Sequence, residues 1–266
     1  MSRHGAVVFD EAYDAHAELY ASFLDPTLAG PVERLVDLAA ADADVRLLDL
    51  ATGTGAVARA AARRGARVAA VDRSEGMLNV ARRLSPQLDF RGADAHALPF
   101  KRRAFDAVTC SLSLSHFRQC DRVLREVLGV LRPGGRFVAS AWGSGSSYPA
   151  AGISDLLPTS ASDDASLDEA TWSTAETGAE LLRRAGFVRV AATTELFTGR
   201  FTDAQQALAW SLAWPLTAAD LAALDPSARQ EFLAAAREAL RHADLSWRFA
   251  VNYYVAMAPN TSSADG

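Results

Sequence analysis

The chain has 266 residues, half of them apolar, which is enough to bury one large core with a small appended lid. Its net charge of -5 argues against a surface built to collect phosphate backbones, since that affinity comes from Lys and Arg neutralising phosphates. Only two cysteines are present, and Cys110 sits in an apolar run, so neither a disulfide nor a zinc site is expected. No run approaches the about 18 apolar residues that span a bilayer, and Met1 to Phe9 carries no leader-like stretch, so a cytoplasmic protein is expected.

The first element is helical: Tyr13, Ala17, Tyr20 and Leu24 recur on one side of the stretch Phe9 to Leu24. From Val45 onward, short apolar runs alternate with helical stretches, the pattern of a parallel sheet flanked by crossover helices. Strands are predicted at Val45 to Leu50, Arg67 to Val71, Leu88 to Arg91, Phe105 to Cys110, Gly135 to Ala141, Val188 to Glu195 and Phe249 to Ala256. Between them, the Ala-rich stretch Gly53 to Arg64 stops at Gly65, and Ser74 can cap a helix that ends at Ser85 and Pro86. Asp121 to Leu131 places Val123, Leu124, Val127, Leu128 and Leu131 on one face before Pro133 and Gly134 end the helix.

Two stretches break the alternation. Gly143 to Asp168 is rich in Ser, Gly, Ala and Asp without periodic apolar residues, which predicts a mobile loop. Thr202 to His242 is helical again, with Trp210, Trp214, Leu221, Phe232 and Leu240 as apolar positions, too long for a hairpin turn between the last two strands. The expected organisation is one domain over 1–266: a helical cap at 1–42, a core at 43–142, the loop at 143–172 and a helical lid at 202–245. The tail from Pro259 is polar and expected to be disordered.

The chemistry concentrates where the first strand enters its helix, in Asp49-Leu50-Ala51-Thr52-Gly53-Thr54-Gly55. Glycines there let the backbone turn tightly and approach a ligand beside the positive end of a helix. Taken alone the loop is ambiguous, because Gly53, Gly55 and Ala58 also satisfy a G-x-G-x-x-A dinucleotide fingerprint with Asp72 at a suitable distance. Three further elements follow in order: Asp72-Arg73-Ser74-Glu75-Gly76-Met77-Leu78, then Gly92-Ala93-Asp94-Ala95-His96-Ala97-Leu98-Pro99-Phe100, then Leu131-Arg132-Pro133-Gly134-Gly135.

This series resembles the class I S-adenosylmethionine-dependent methyltransferases over residues 45 to 142, most closely the ubiquinone/menaquinone-biosynthesis-like branch that acts on small molecules. The resemblance implies an α/β, Rossmann-like sheet of seven mostly parallel strands in the order 3-2-1-4-5-7-6. It also implies S-adenosylmethionine as cofactor, with S-adenosylhomocysteine as product. By that resemblance Asp49 orients the amino-acid end of the cofactor, with Ala51, Thr52, Gly53 and Gly55 forming the loop around it. Asp72 takes the ribose hydroxyls with Arg73 beside it, Met77 packs on the adenine, Asp94 takes the adenine amino group, and the Ala95 amide faces a ring nitrogen.

Ser111 leaves the fourth strand at the edge that faces both cofactor and acceptor, in Ser111-Leu112-Ser113-Leu114-Ser115-His116-Phe117. That slot lacks the N-P-P-Y or D-P-P-Y tetrad of amino-group methylation on nucleic-acid bases. His116 is the candidate general base, and a histidine bonded to a nearby carbonyl is an equal alternative. By the same resemblance Tyr13, with Tyr20, is expected to close over the sulfonium side of the cofactor, with plain core packing an equal alternative. Trp142, Trp172, Trp210, Trp214 and Trp247 form an aromatic inventory, and two or three of them in a pocket would mean a flat or greasy acceptor. Neither a metal, nor nucleic acid, nor a membrane is expected, and the chain is read as a monomer or homodimer. The expected reaction is methyl transfer to O, N or C of a small apolar or aromatic metabolite. The alternative is a methyltransferase fold reused as a cyclase or pericyclase that binds the cofactor without transferring its methyl group.

Overall fold

A computed structural model describes residues 4–147, 153 and 169–260. The chain opens with α1 (His4–Leu19), a π-helical turn at Tyr20–Leu24, the short α2 (Asp25–Thr27) and α3 (Ala29–Ala39). It then runs β1 (Arg46–Leu50), α4 (Ala56–Arg63), β2 (Arg67–Asp72), α5 (Glu75–Leu84), β3 (Asp89–Gly92) and β4 (Phe105–Cys110). After a 3-10 turn at Leu114–His116 come α6 (Cys120–Val130), β5 (Leu131–Trp142), α7 (Glu169–Trp172), α8 (Ala175–Arg184) and β6 (Val188–Arg200). The helices α9 (Ala204–Leu212), α10 (Pro215–Ala223) and α11 (Pro226–Arg241) lead into β7 (Ser246–Met257).

The seven strands form one sheet in the order β3-β2-β1-β4-β5-β7-β6, with β7 antiparallel to both its neighbours and the rest parallel. Burial on both faces is why the central strands read as continuous apolar runs. Leu47, Val138, Val251 and Tyr253 point to one side, against Leu35, Val36, Val57 and Ala61. Leu48, Leu50, Val108, Phe137 and Tyr254 point to the other, against Val123, Leu124, Val127 and Leu182. Ser74 caps α5 as expected, its hydroxyl accepting from the Met77 amide at 3.1 Å.

Three elements differ from the sequence reading. The helix α6 stops at Val130, and Leu131 turns extended (φ -71, ψ 139) to pair with Phe105. Pro133 and Gly134 thus lie in a bulge of a longer strand, with Gly134 at φ +70. The last two strands run five and three residues further than predicted at their shared end, Leu196–Arg200 pairing with Ser246–Ala250. Gly199 hides that extension, since a side chain there would strike the Trp247 ring, and glycine reads as a strand breaker. Finally, the far end of the predicted 143–172 loop is anchored. Trp172 is buried in α7, and its carbonyl accepts from Asn252 Nδ2 at 2.9 Å and Tyr254 Oη at 3.2 Å. At the near end Ser147 bridges to Arg248; the rest of that stretch, 148–152 and 154–168, lies outside the described residues.

Candidate active site

Parallel strands leave their loops at one edge, and here the loops after β1, β2, β3 and β4 converge with α1, α2, α3 and the residue that precedes α10 around a cleft of about 300 Å³. Asp49, Ala51, Thr52, Gly53, Asp72, Arg73, Met77, Asp94, Ala95, Ser111, His116 and Tyr13 all line it. Gly55 does not: it caps α4 at φ +83, and a Cβ there would come within 2.9 Å of the Phe90 ring. Its glycine answers to packing and backbone conformation. Gly53, at φ +55, is the reverse case, because a Cβ would meet nothing within 4 Å. The space in front of it is open cleft.

Asp72 ties two loops together. Its Oδ2 accepts from the Gly53 amide at 2.7 Å and its Oδ1 from the Ser74 amide at 2.9 Å, so the carboxylate stands fixed at the end of β2. Asp49 is buried and committed to the protein, accepting from the Thr52 hydroxyl at 2.5 Å and the Thr109 hydroxyl at 2.9 Å. Burial is the largest influence on Asp49. It outweighs those bonds and the Ala58 amide, and with the nearby Asp72 charge it lifts the carboxyl from 3.8 to about 6.

The folded chain therefore holds the Asp49 proton more tightly than the unfolded chain does. The contribution of this group to stability is greatest below pH 4 and declines as pH rises from about 4 to about 6, by about 3 kcal/mol in total. Asn carries no charge, and the two hydroxyls can reverse their donor roles to suit it. The unliganded Asp49→Asn variant is thus expected to gain on the wild type across that window and to hold the gain above it. Paired denaturant melts at pH 4 and pH 7 check this; an unchanged gap would refute it.

Asp94 is half turned to solvent and is held by its neighbour. Its Oδ1 accepts from the His96 amide at 2.9 Å and lies 2.7 Å from His96 Nδ1. Partial burial raises this carboxyl, but the His96 amide, the His96 ring and the Arg73 charge prevail and set it below its ordinary value. Ser111 Oγ lies 3.5 Å from Ser140 Oγ, and Leu112, at φ +54, donates its amide to the same Ser140 hydroxyl at 3.1 Å.

The roof of the cleft comes from the N-terminal segment. Tyr13 meets His116 edge-on at 6.1 Å between ring centroids and lies 6.3 Å from Tyr20. Desolvation pushes both phenols well above their ordinary value, Tyr13 also feeling Asp72. It pushes His116 the other way, down to about 4 against a smaller pull from Leu112, so the imidazole is neutral at cellular pH and a weak base.

Residues that line or brace the cleft without any signal in the sequence come from the N-terminal segment. Asp25 accepts from the Thr54 hydroxyl at 2.7 and 2.9 Å and pairs with Arg59 at 3.2 Å, tying α2 to the glycine loop. Asp14 accepts from the Ser74 hydroxyl at 2.6 Å and the Gly76 amide at 2.9 Å, docking α1 on the start of α5. No spacing links positions 14 and 25 to loops so distant in sequence. Of the tryptophans, Trp142 and Trp214 line the cleft, in edge contact at 5.8 Å, beside Leu28, Val32, Val57 and Leu112. Trp172 and Trp210 are core. Asp106 lies away from the cleft, accepting from the Arg46 amide at 2.7 Å and pairing with Arg132 at 2.7 Å. Among the described residues no group of three or more His, Cys, Asp or Glu is placed to hold a metal, and no helix is long and apolar enough to cross a membrane.

Residues 48–139 match a family model described as a methyltransferase domain. A demethylmenaquinone methyltransferase of Renibacterium salmoninarum is 42% identical over 106 residues, which are 40% of this chain and 45% of that protein. A second, of Thermus thermophilus, is 45% identical over 111 residues, 40% and 50% of the two lengths. The chain spans about half the length of the curated relatives it matches. Among solved structures, the YcgJ protein of Bacillus subtilis superposes with a TM-score of 0.58 at 18% identity, covering 86% of this chain and 98% of its own. The [4+2]-cyclase SpnF superposes with a TM-score of 0.52 at 25% identity, covering 86% and 82%. Residues 48–139 thus match a methyltransferase-domain model, and the surrounding strands and helices complete the fold that the solved structures share.

Proposed function

We propose that this protein transfers the methyl group of S-adenosylmethionine to a flat, apolar small molecule of aromatic or quinone-like type. One observation carries the reading: a single cleft joins a fixed carboxylate beside an open glycine loop to an apolar end walled by Trp142 and Trp214. The first end suits a ribose diol and a purine, the second a desolvated ring system. The names of the curated relatives, demethylmenaquinone methyltransferases, point to the same acceptor class.

The residues at hand fit the cofactor. Asp72 would hold the ribose, Asp94 and the Ala95 amide the base, and Met77 and Arg73 would flank it. Ala51, Thr52 and Gly53 would border the methionyl end, with Asp49 bracing that loop through Thr52. When bound, the cofactor supplies an electrophilic methyl group on a sulfonium. The chain contributes position and dryness: α1 closes the roof with Tyr13 and Tyr20, and the apolar wall excludes water from the acceptor. His116, neutral and weakly basic, suits orienting an acceptor that sheds its proton readily, with Tyr13 bounding the same space. The lid α9–α11 and the cap before β1 act as parts of this one domain, which works as a monomer or homodimer in the cytoplasm.

A second reading, cyclisation with the cofactor bound but not consumed, is favoured by the likeness to the [4+2]-cyclase SpnF. Calorimetry with S-adenosylmethionine and S-adenosylhomocysteine, followed by product mass from a panel of hydroquinones and phenols, tests both. Micromolar binding and a product heavier by one methyl group are expected. Absence of binding would sink both readings, and an isomeric product of unchanged mass would replace the first by the second.

A further inference from the structure

Asp94 lines the cleft and keeps one of its two oxygens engaged. Oδ1 is taken by the His96 amide and by His96 Nδ1, whereas among the described residues no group bonds Oδ2. The His96 ring is itself clamped. Its Nε2 contacts the Arg118 carbonyl, its face meets Phe117 edge-on at 6.2 Å, and its own carbonyl accepts from Arg122 Nε at 3.0 Å. Phe117 and Arg118 belong to the segment between the 3-10 turn and α6, and both line the cleft. His96 therefore stitches the loop that carries Asp94 to the loop that follows His116. Held in this way, the carboxylate cannot swing out to solvent on its exposed side, and an ordering cost otherwise met on binding is met on folding.

We propose that His96 is a positioning residue that makes the base subsite selective for a 6-aminopurine: by holding Oδ1 of Asp94 it leaves Oδ2 as a fixed acceptor toward the cleft. This rests on the cofactor reading above. A fixed acceptor favours an exocyclic amino group, which donates, over a 6-oxo group, which can only accept. A carboxylate free to rotate gives that preference up in part, because it can turn its charge into water when the wrong base arrives. The His96 side chain is only 18% exposed and joins two loops, so its replacement is expected to lower the melting temperature as well as the discrimination between bases.

The test compares two ligands that differ only at that position, S-adenosylhomocysteine and S-inosylhomocysteine, titrated calorimetrically into wild type, His96→Ala and His96→Asn. The wild type is expected to prefer the adenosyl ligand by at least about a hundredfold. In His96→Ala the adenosyl affinity should fall about tenfold while the inosyl affinity stays within about twofold, so that the preference shrinks. His96→Asn, whose amide can still donate to Oδ1, should recover part of the preference. Equal losses for both ligands in His96→Ala would mean a merely structural role and would overturn the proposal, as would an unchanged preference. Thermal melts of each variant separate misfolding from the effect sought, and if His96→Ala does not fold, the preference of His96→Asn decides: a value near one overturns the proposal. Failure of the wild type to bind either ligand would overturn the cofactor reading itself, a result distinct from loss of selectivity.

Discussion

The Asp72→Ala variant is expected to bind S-adenosylhomocysteine at least about a hundredfold more weakly than the wild type, a loss of about 2.7 kcal/mol. The size follows from what the carboxylate does twice over. In the proposed complex it would supply the charge-assisted acceptors for a ribose diol, each such bond contributing roughly 1.5–3 kcal/mol. It also fixes the two loops that form the cleft, through the Gly53 amide at 2.7 Å and the Ser74 amide at 2.9 Å. Asn is no remedy: both protein partners are donors, so its amide nitrogen would face an N–H with nothing to accept. Asp72→Asn should therefore fall well below the wild type as well, where a purely steric role would leave it close. Both bonds are only part-buried, at the rim of the cleft, so the melting temperature should drop by only a few degrees. Calorimetry and a thermal melt on the same samples decide. Affinity within threefold of the wild type in Asp72→Ala would remove Asp72 from the binding site.

Legibility in the sequence followed the distance over which each feature is encoded. The sheet order and the strands β1 to β4 were readable because each is specified by a local apolar run with a loop of characteristic composition after it, and the family resemblance ordered them. Within the cleft, every expected residue but Gly55 lines the wall, since most sit in the loops that leave the strand ends. What stayed hidden is encoded between elements. Asp14 reaches Ser74 across 60 residues and Asp25 reaches Thr54 across 29, and neither partner's type or spacing betrays the other. The role of His96 was hidden for a different reason: beside Asp94 it looks like a filler position, and only the fold brings the Arg118 carbonyl to its far nitrogen. Gly199 misled by its usual meaning, as the partner ring that demands it, Trp247, lies on another strand.

Gly76 carries the second large effect, and it concerns closure. The first turn of α5 touches α1 so closely that a Cβ at position 76 would overlap the Asp14 carbonyl oxygen and stand 2.7 Å from its Cα. These are backbone atoms, which cannot rotate aside as a side chain would, so Gly76→Ala must push the two helices apart. Overpacking of this kind costs about 1–3 kcal/mol. Here the cost falls on the joint that Asp14 makes with the Ser74 hydroxyl and the Gly76 amide, and α1 carries Tyr13, with Tyr20 just beyond, over the cleft. Between losing the whole fold and losing only the seat of α1, the second is far cheaper, because the sheet and its two cores do not depend on that helix. The expected result is a protein that melts within a few degrees of the wild type but releases S-adenosylhomocysteine at least about tenfold faster, with association little changed. Asp14→Asn, which keeps the close approach and weakens only the carboxylate's bonds, should show a smaller rise in the release rate. Stopped-flow displacement measures both, with the fluorescence of Trp142 and Trp214 at the cleft wall as the signal. A release rate in Gly76→Ala equal to that of the wild type would mean that α1 is not what retains the ligand, and that the roof of the cleft is closed by the lid helices instead.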